Sequence, residues 1–586
     1  MKLKKYFLLA LITLSLTISE SCGVNFKLTL LNLTAVAQTV NDRKAEADRL
    51  LEQGIKQLNI SQFKQALQSW EQSLAIYREI GDRSGIAKSL DHLGNAYRNL
   101  GDYRKAIDYH QQSLEIDKEI GNRSSIAKSV NNMGNAYLYL GDYRKAIDYY
   151  QQSLKIKKEI GNHSGIAKSL IGLGNVYKEL KDYKSAQNNF RQAITIYEDI
   201  RKLLRNQDTW KINIFEQQAR TYRLLQQVLI AQKQPLKALE ISERGRTRAL
   251  VEILWRQLSQ IPEQEVIPPT PNLTEIQQIA QQQNATLVEY SLTPDEIYIW
   301  VIPPQGKILF RNVPLPKNTS LTELVKISRN SIGVRGRNSN NSPVKQENPS
   351  TRLQQLHQLL IKPIANLLPK DEQKRVIFIP HQELFLVPFV ALQDEENKYL
   401  IEKHTILTAP SIQALDLSQQ NKQVQKNSSA RVFPGNQNLI VGNPTMPKSG
   451  VGKDLQPLKP LPGAEEEAKN IAQMLGTKAI IGDEATESAI VEKMASAKLI
   501  HLATHGLLDG TNAIGSAGAI TLTPDSKNDG FLTTSEIMES FGLPGKQKLK
   551  ADLVVLSACD TGRGDIKGEG IIGLSRAFMA SGVPSL

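Results

Sequence analysis

The feature that most constrains this chain is a pattern of 40 residues, written three times in succession. GIAKSLDHLGNAYRNLGDYRKAIDYHQQSLEIDKEIGNRS, from Gly85, is followed by SIAKSVNNMGNAYLYLGDYRKAIDYYQQSLKIKKEIGNHS. It returns more loosely as GIAKSLIGLGNVYKELKDYKSAQNNFRQAITIYEDI. Gly94, Gly134 and Gly174 mark the period, as do Ala106, Ala146 and Ala186, and a degenerate earlier copy keeps Gly54, Phe63 and Ala66 in register. Within one copy, Ile86, Leu90, Leu93, Tyr97 and Leu100 fall on one helical face. Gly101-Asp102 then breaks the helix, and a second is predicted from Tyr103 to about Ile120. Gly94 and Ala106 are small where the two helices would approach closely. Such a hairpin cannot bury its apolar face alone, so the copies are expected to stack into a superhelix with a concave groove.

Leu90, Leu93-Gly94, Tyr97 and Ala106 have the signature spacing of the tetratricopeptide repeat, which this region resembles in its longer, 40-residue form. Residues 45–202 read as four such copies. The resemblance implies protein or peptide binding in the groove, where Lys88, Lys128, Lys168, Asn95, Asn135 and Asn175 would hold carboxylates or backbone. The same residues also read as solvated polar positions copied by duplication. Residues 203–260 continue a less regular helical pattern, broken at Gln232-Lys233-Gln234-Pro235, as a further hairpin capping the array. Pro-rich residues 261–273 read as a linker.

From residue 274 to 586 the period changes. Strand-length apolar pieces, including RVIFIP, NLIVGNP, KLIHLATHG and DLVVLSACDTG, alternate with the helical stretches GAEEEAKNIAQML and TESAIVEKMASA. This predicts an α/β domain with a mostly parallel sheet and helices on both faces. Two polar tracts, Arg335 to Ser350 and Gln419 to Asn438, read as exposed loops. The net charge of +13 over 586 residues, with aromatics at 6% and no block of Lys or Arg, argues against nucleic acid. No Gly-rich phosphate loop follows any strand, which disfavours a nucleotide-binding domain.

Two of the apolar strands end in chemistry-bearing residues, in LIHLATHG and LVVLSACDTG. In parallel sheets functional groups gather beyond the carboxyl ends of the strands, so His505 and Cys559 could meet there if their strands are neighbours. A thiol becomes nucleophilic on ionisation, and a nearby imidazole can take its proton. A buried inert thiol is the plain alternative for Cys559. His501 and His505 have the spacing of a helical zinc pair, but HLATH follows an apolar strand and lacks the glutamate of that motif, so no metal or other cofactor is expected. His381 reads as a polar residue at a strand end.

THG, LSACDTG, GEGIIGLSRAF, VPFVAL and Thr408-Ala-Pro-Ser411 together resemble the CHAT family, caspase/separase-like domains that accompany tetratricopeptide repeats. The resemblance implies a cysteine endopeptidase with His505 as general base and Cys559 as nucleophile. The N–H groups of Gly506 and Cys559 would hold the oxyanion. Asp560, Asp565 and Glu569 would form a substrate pocket for a basic side chain, or are simply solvated loop acids. The family continues past GLSRAFMASGVPSL with another strand and covering helices, so the α/β domain is expected to be C-terminally incomplete at Leu586. The competing reading, from another class, is a non-catalytic protein-interaction scaffold with a truncated, inactive protease-like domain.

Three lysines and an apolar stretch from Tyr6 to Ile18 open the chain, followed by a small-x-small site at Ala35-Val36-Ala37. The stretch is short for a membrane span and fits an export signal over residues 1–37. The chain is thus expected to be periplasmic or extracellular, with an uncleaved membrane anchor or a cytoplasmic chain as alternatives. Cleavage after Ala37 would leave Cys559 as the sole cysteine, so no intramolecular disulfide could form.

Overall fold

Glycine followed by Asp or Asn punctuates the first part of the chain, and in the structure each such pair ends one helix and starts the next. Gly81, Gly101, Gly121, Gly141 and Gly161 all have φ between 68° and 83°, the left-handed region that glycine enters without steric cost. The side chains of Asp82, Asp102, Asn122, Asp142 and Asn162 then accept a backbone N–H from three residues on, capping the following helix. The computed structural model describes residues 26–203, 208–246, 248–259, 268–316, 320–331, 349–426, 437–449, 456–507, 518–543, 546–557, 565–567 and 570–585. The chain divides into two units, Met1–Ala193 and Ile194–Leu586.

The first unit is a run of helices: α1 (Phe26–Asn59), α2 (Phe63–Glu79), α3 (Arg83–Asn99), α4 (Tyr103–Glu119), α5 (Arg123–Leu140), α6 (Tyr143–Glu159), α7 (His163–Glu179) and the start of α8 (Tyr183–Leu203). Each packs mainly on the helices next to it in sequence. The repeated glycine is explained by a ring from the following helix. A Cβ at Gly94, Gly134 or Gly174 would lie 2.7, 2.9 or 2.5 Å from His110, Tyr150 or Phe190. Ala106, Ala146 and Ala186 are fully buried beside these contacts.

One copy departs from apolar packing in a concerted way. Asp91, 5% exposed, lies 3.2 Å from His110 Nδ1 and 2.8 Å from Lys128 Nζ, and accepts from Asn132 Nδ2 at 2.9 Å. Burial raises the Asp91 pKa, but the His110 hydrogen bond and the Lys128 charge outweigh it and hold the carboxyl well below the usual range. Asp117, 3% exposed, is pushed the other way, to about 6, by burial and then by the charge of Asp91.

The second unit begins with the rest of α8 and three helices, α9 (Asp208–Ala231), α10 (Pro235–Arg244) and α11 (Arg248–Ser259). A short α12 (Leu273–Gln283) leads into β1 (Ala285–Leu292), β2 (Glu296–Ile302) and β3 (Leu309–Pro314). After α13 (Leu321–Ser331) and α14 (Pro349–Leu360) come β4 (Arg375–Ile379) and β5 (Thr405–Thr408). These five strands form one mixed sheet in the order β3-β2-β1-β4-β5, antiparallel from β1 to β3 and parallel from β1 to β5. Its core is built on Val288, Tyr290, Ile299, Val376 and Phe378.

α15 (Ile412–Lys426) then leads to β6 (Asn438–Pro444), β7 (Lys448–Ser449), β8 (Gln456–Pro457), α16 (Pro462–Met474), β9 (Ala479–Gly482), α17 (Glu487–Met494) and β10 (Leu499–Ala503). Beyond lie β11 (Gly506–Leu507), β12 (Ala519–Thr521), β13 (Phe531–Thr533), α18 (Thr534–Ile537), β14 (Leu553–Ser557), β15 (Asp565–Lys567), β16 (Gly570–Ile572) and α19 (Leu574–Ala580). A second, wholly parallel sheet has the order β14-β10-β6-β9. The parallel strands read from the sequence therefore belong to two sheets, because β4 pairs with β1 and β5 rather than with β6. The tract from Gln419, read as a loop, is helical through Lys426 as the end of α15.

One buried cation, just past the end of α10, joins the chain there to the mixed sheet. Arg246 Nε donates to Glu289 Oε1 on β1 at 3.0 Å, Nη1 to the Pro380 carbonyl at 2.7 Å, and Nη2 to the Tyr290 carbonyl. Glu243, one turn earlier and fully buried, accepts the Ile412 and Gln413 N–H groups, so it caps α15. Burial, with Glu289 beside it, pushes the Glu243 carboxyl well above its usual range.

Two outcomes follow. Asp117 has a raised folded pKa, so its stabilising contribution is present below about 4 and lost as pH rises through about 6. Asp117→Asn should therefore raise the free energy of urea unfolding more at pH 8 than at pH 4, a difference on the order of 2–3 kcal/mol. Arg246→Met leaves Glu289 buried without its cation and should cost about 3–5 kcal/mol in urea unfolding, with partial recovery in Arg246→Met/Glu289→Leu.

Candidate functional site

β10 is a central strand of the parallel sheet, with β14 on one side and β6 on the other. Its residues Leu499, Ile500, Leu502 and Ala503 alternate into packed layers, and the chain leaves the sheet at Thr504-His505. Thr504 Oγ1 donates to the Thr521 carbonyl at 2.9 Å and lies 2.8 Å from Thr521 Oγ1. The Thr521 N–H in turn donates to the His505 carbonyl at 3.0 Å. These bonds lock the backbone on either side of the His505 side chain.

The same bonds set the direction of the next amide. The Thr521 N–H donates to the His505 carbonyl, and Gly506 lies opposite Ile520 in the β11–β12 pair. In an antiparallel ladder adjacent positions alternate, so the Gly506 N–H is directed away from β12. It is thereby available to an acceptor outside the ladder.

The imidazole of His505 is held by a group that no side chain in the sequence singles out. Its Nε2 lies 2.8 Å from the Lys459 carbonyl. A carbonyl oxygen only accepts, so Nε2 carries the proton and the neutral ring keeps its lone pair on Nδ1. Lys459 sits between β8 and α16, in Leu458-Lys459-Pro460-Leu461-Pro462, where Pro460 disfavours helix at Lys459 and Pro462 opens α16. Only these prolines signal that its backbone runs free of regular structure.

Cys559, with Asp560 and Glu569, lies outside the described residues, and Asp565 is described only in its backbone, as the first residue of β15. The strand before the cysteine is described, and it pairs with β10 in parallel register: Leu499 with Leu553, His501 with Val555, Ala503 with Ser557. Each pair is 54 residues apart, as are His505 and Cys559 (559 − 505). Both candidate residues thus follow the last paired position of their strand by two residues.

The other histidines have separate places. His501 is buried in β10 with Nε2 3.0 Å from Glu467 Oε1, and burial lowers its pKa against the pull of that carboxylate. His501 faces Glu467 from within β10, whereas His505 lies beyond the strand on the Lys459 carbonyl, so the two rings have different partners. Among the described residues no group of three His, Cys, Asp or Glu is arranged to hold one. His381 accepts the Leu292 N–H at Nδ1, 2.9 Å away, and burial followed by the charges of Arg246 and Arg223 holds it well below its usual pKa.

In the repeats, Lys88, Lys128 and Lys168 are exposed, while Asn95, Asn135 and Asn175 are half-buried. Lys128 pairs with Asp91, Asn95 Nδ2 donates to the Asp91 carbonyl at 2.9 Å, and Asn135 Oδ1 accepts from Tyr150 at 2.7 Å. Three of the six candidate groove residues are thus engaged within the array.

Residues 350–586 match the CHAT domain, and residues 55–119 and 125–199 match the tetratricopeptide repeat. The chain carries tetratricopeptide repeats and a CHAT domain. The run of consecutive helices over the matched residues 55–199 fits a tetratricopeptide solenoid, and the CHAT match takes in the α/β region from α14 onward, with its parallel strands. Tetratricopeptide repeat protein 28 of Homo sapiens is 23% identical over 515 residues, covering 66% of this chain and 20% of that protein. The protein of the same name from Mus musculus is 22% identical over the same lengths. The chain thus spans about a fifth of the length of these curated relatives. Among solved structures, BtubC from P. vanneervenii is 18% identical and covers 40% of this chain and 95% of its own, with a TM-score of 0.29. The TPR domain of Arabidopsis FLU is 26% identical, over 20% of this chain and 98% of that one, with a TM-score of 0.20.

Proposed function

We propose that the CHAT domain is a cysteine endopeptidase and that the tetratricopeptide repeats recruit its protein partner or substrate. The observation that carries the proposal is the parallel pairing of β10 with β14, whose register also separates His505 from Cys559. His505, with its lone pair on Nδ1, takes the proton from the Cys559 thiol, and the thiolate attacks the scissile carbonyl carbon. The resulting oxyanion is held by the N–H groups of Gly506 and Cys559. The imidazolium returns its proton to the leaving amine as the C–N bond breaks, and water then hydrolyses the thioester to free the acid and the thiol. Asp560, Asp565 and Glu569 favour a basic residue just before the scissile bond. The first residues of the chain direct export, so the partner is an exported protein.

A thiol-reactive peptide probe with arginine next to the warhead tests this on the full chain. Labelling should map to Cys559, and His505→Ala should slow it roughly 10²–10⁴-fold. Equal, slow labelling of both proteins would mean that the thiol is not activated, and the CHAT domain would then serve as a non-catalytic scaffold.

A further inference from the structure

The hold on His505 traces back to the strand on the other side of β10 from the cysteine strand. In the parallel sheet β6 pairs with β10, with Gly442 opposite Ala503. The next residue of β6, Asn443, adopts φ 44°, a left-handed conformation that asparagine tolerates better than most residues. Its side chain makes two hydrogen bonds to the start of α16. Oδ1 accepts the Leu461 N–H at 2.7 Å, and Nδ2 donates to Glu465 Oε2 at 3.1 Å.

Lys459 is two residues before Leu461, and on its other side the Leu458 N–H donates to the Pro447 carbonyl at 3.1 Å. The peptide offering its carbonyl to His505 is therefore tied at both ends. A third restraint seats α16 itself. A Cβ on Gly442 would lie 2.4 Å from Ala468 Cβ and 2.5 Å from the Ala464 carbonyl, so helix and strand touch through their backbones. Of the three restraints, the Asn443 side chain alone links the end of β6 directly to the segment carrying Lys459.

We infer that Asn443 is a positioning residue for His505: it keeps the Lys459 carbonyl against Nε2 and so fixes the tautomer that leaves Nδ1 unprotonated. A neutral imidazole places its proton where an acceptor waits, and without a fixed carbonyl the Nδ1–H form becomes accessible. That form cannot take a proton at Nδ1. The consequence for catalysis rests on the peptidase reading; the tautomer does not. Both strands flanking β10 then serve one ring, β14 leading to its reaction partner and β6 supplying its orientation.

The test uses the full chain with ¹⁵N-labelled histidine, the His505 signals being assigned by their loss in His505→Gln. The wild-type ring should show protonated Nε2 and bare Nδ1. Asn443→Ala should turn this pattern into a mixture of tautomers and slow alkylation of Cys559 by the peptide probe on the order of tenfold. Asn443→Asp/Glu465→Gln reverses the polarity of the second hydrogen bond while keeping both, and should restore the wild-type ring pattern and the alkylation rate. An unchanged ring pattern in a folded Asn443→Ala protein overturns the inference. So does a folded double variant that fails to restore the pattern, which covers the case in which Asn443→Ala does not fold. If the tautomer shifts as expected but alkylation is slow and indifferent to His505, the positioning role stands and the peptidase reading fails.

Discussion

The pairing of β10 with its two neighbours is the constraint on which the candidate site depends. A parallel ladder fixes the relative height of three strand ends at once, and a slip of one residue would move every side chain to the opposite face. Here the ladder brings the end of β14 level with the end of β10, and Gly442 of β6 level with both, β6 running two residues further to Pro444. The apolar residues Ile500, Leu502, Leu439, Val441 and Val554 are buried in one cluster, so the register is set by packing that any slip would destroy. The placement of the strand ends is then a consequence of the core, not of the loops alone.

The charged groups buried elsewhere in the chain serve attachment. Glu243 lies in α10 and Arg246 just after it, yet their partners are β1, the end of β4 and the start of α15. Burying a cation such as Arg246 costs several kcal/mol unless it is paired and hydrogen-bonded. Its partners, together with the Glu243 carboxyl that caps α15, tie the end of α10 into the mixed sheet's own packing. The Asp91 group in the repeats is different: it lies within the array and distinguishes one copy from the next, which gives otherwise similar copies a specific neighbour.

Local signals make much of this legible in the sequence. Gly followed by Asp or Asn marks a helix stop and an N-cap in the same two residues, so the hairpins of the repeats follow from the order of the residues alone. The apolar runs ending at His505 and Ser557 are recognisable as strands for a similar reason. Which strands share a sheet is not legible, because β4 and β6 read alike as buried parallel strands and only long-range pairing separates them. The Lys459 carbonyl has no letter of its own in the sequence, and only the neighbouring prolines hint that its backbone is free of regular structure. The Asp91 group is legible but easily passed over: Asp91 and His110 stand where the third copy has Ile171 and Phe190, a paired polar exchange within one repeat. The candidate groove residues show the limit of reading by period, for Lys128 and Lys88 share a repeat position but only Lys128 has Asp91 as its partner.

The central claim is that His505 and Cys559 form one working pair, and the distance between them tests it most directly. A crystal structure of the full chain that resolves residues 558–564 would give it. The account predicts His505 Nδ1 facing Cys559 Sγ within about 3–4 Å, with Nε2 on the Lys459 carbonyl. A thiol buried beneath β14, or a ring whose Nδ1 faces away from the cysteine, would contradict it.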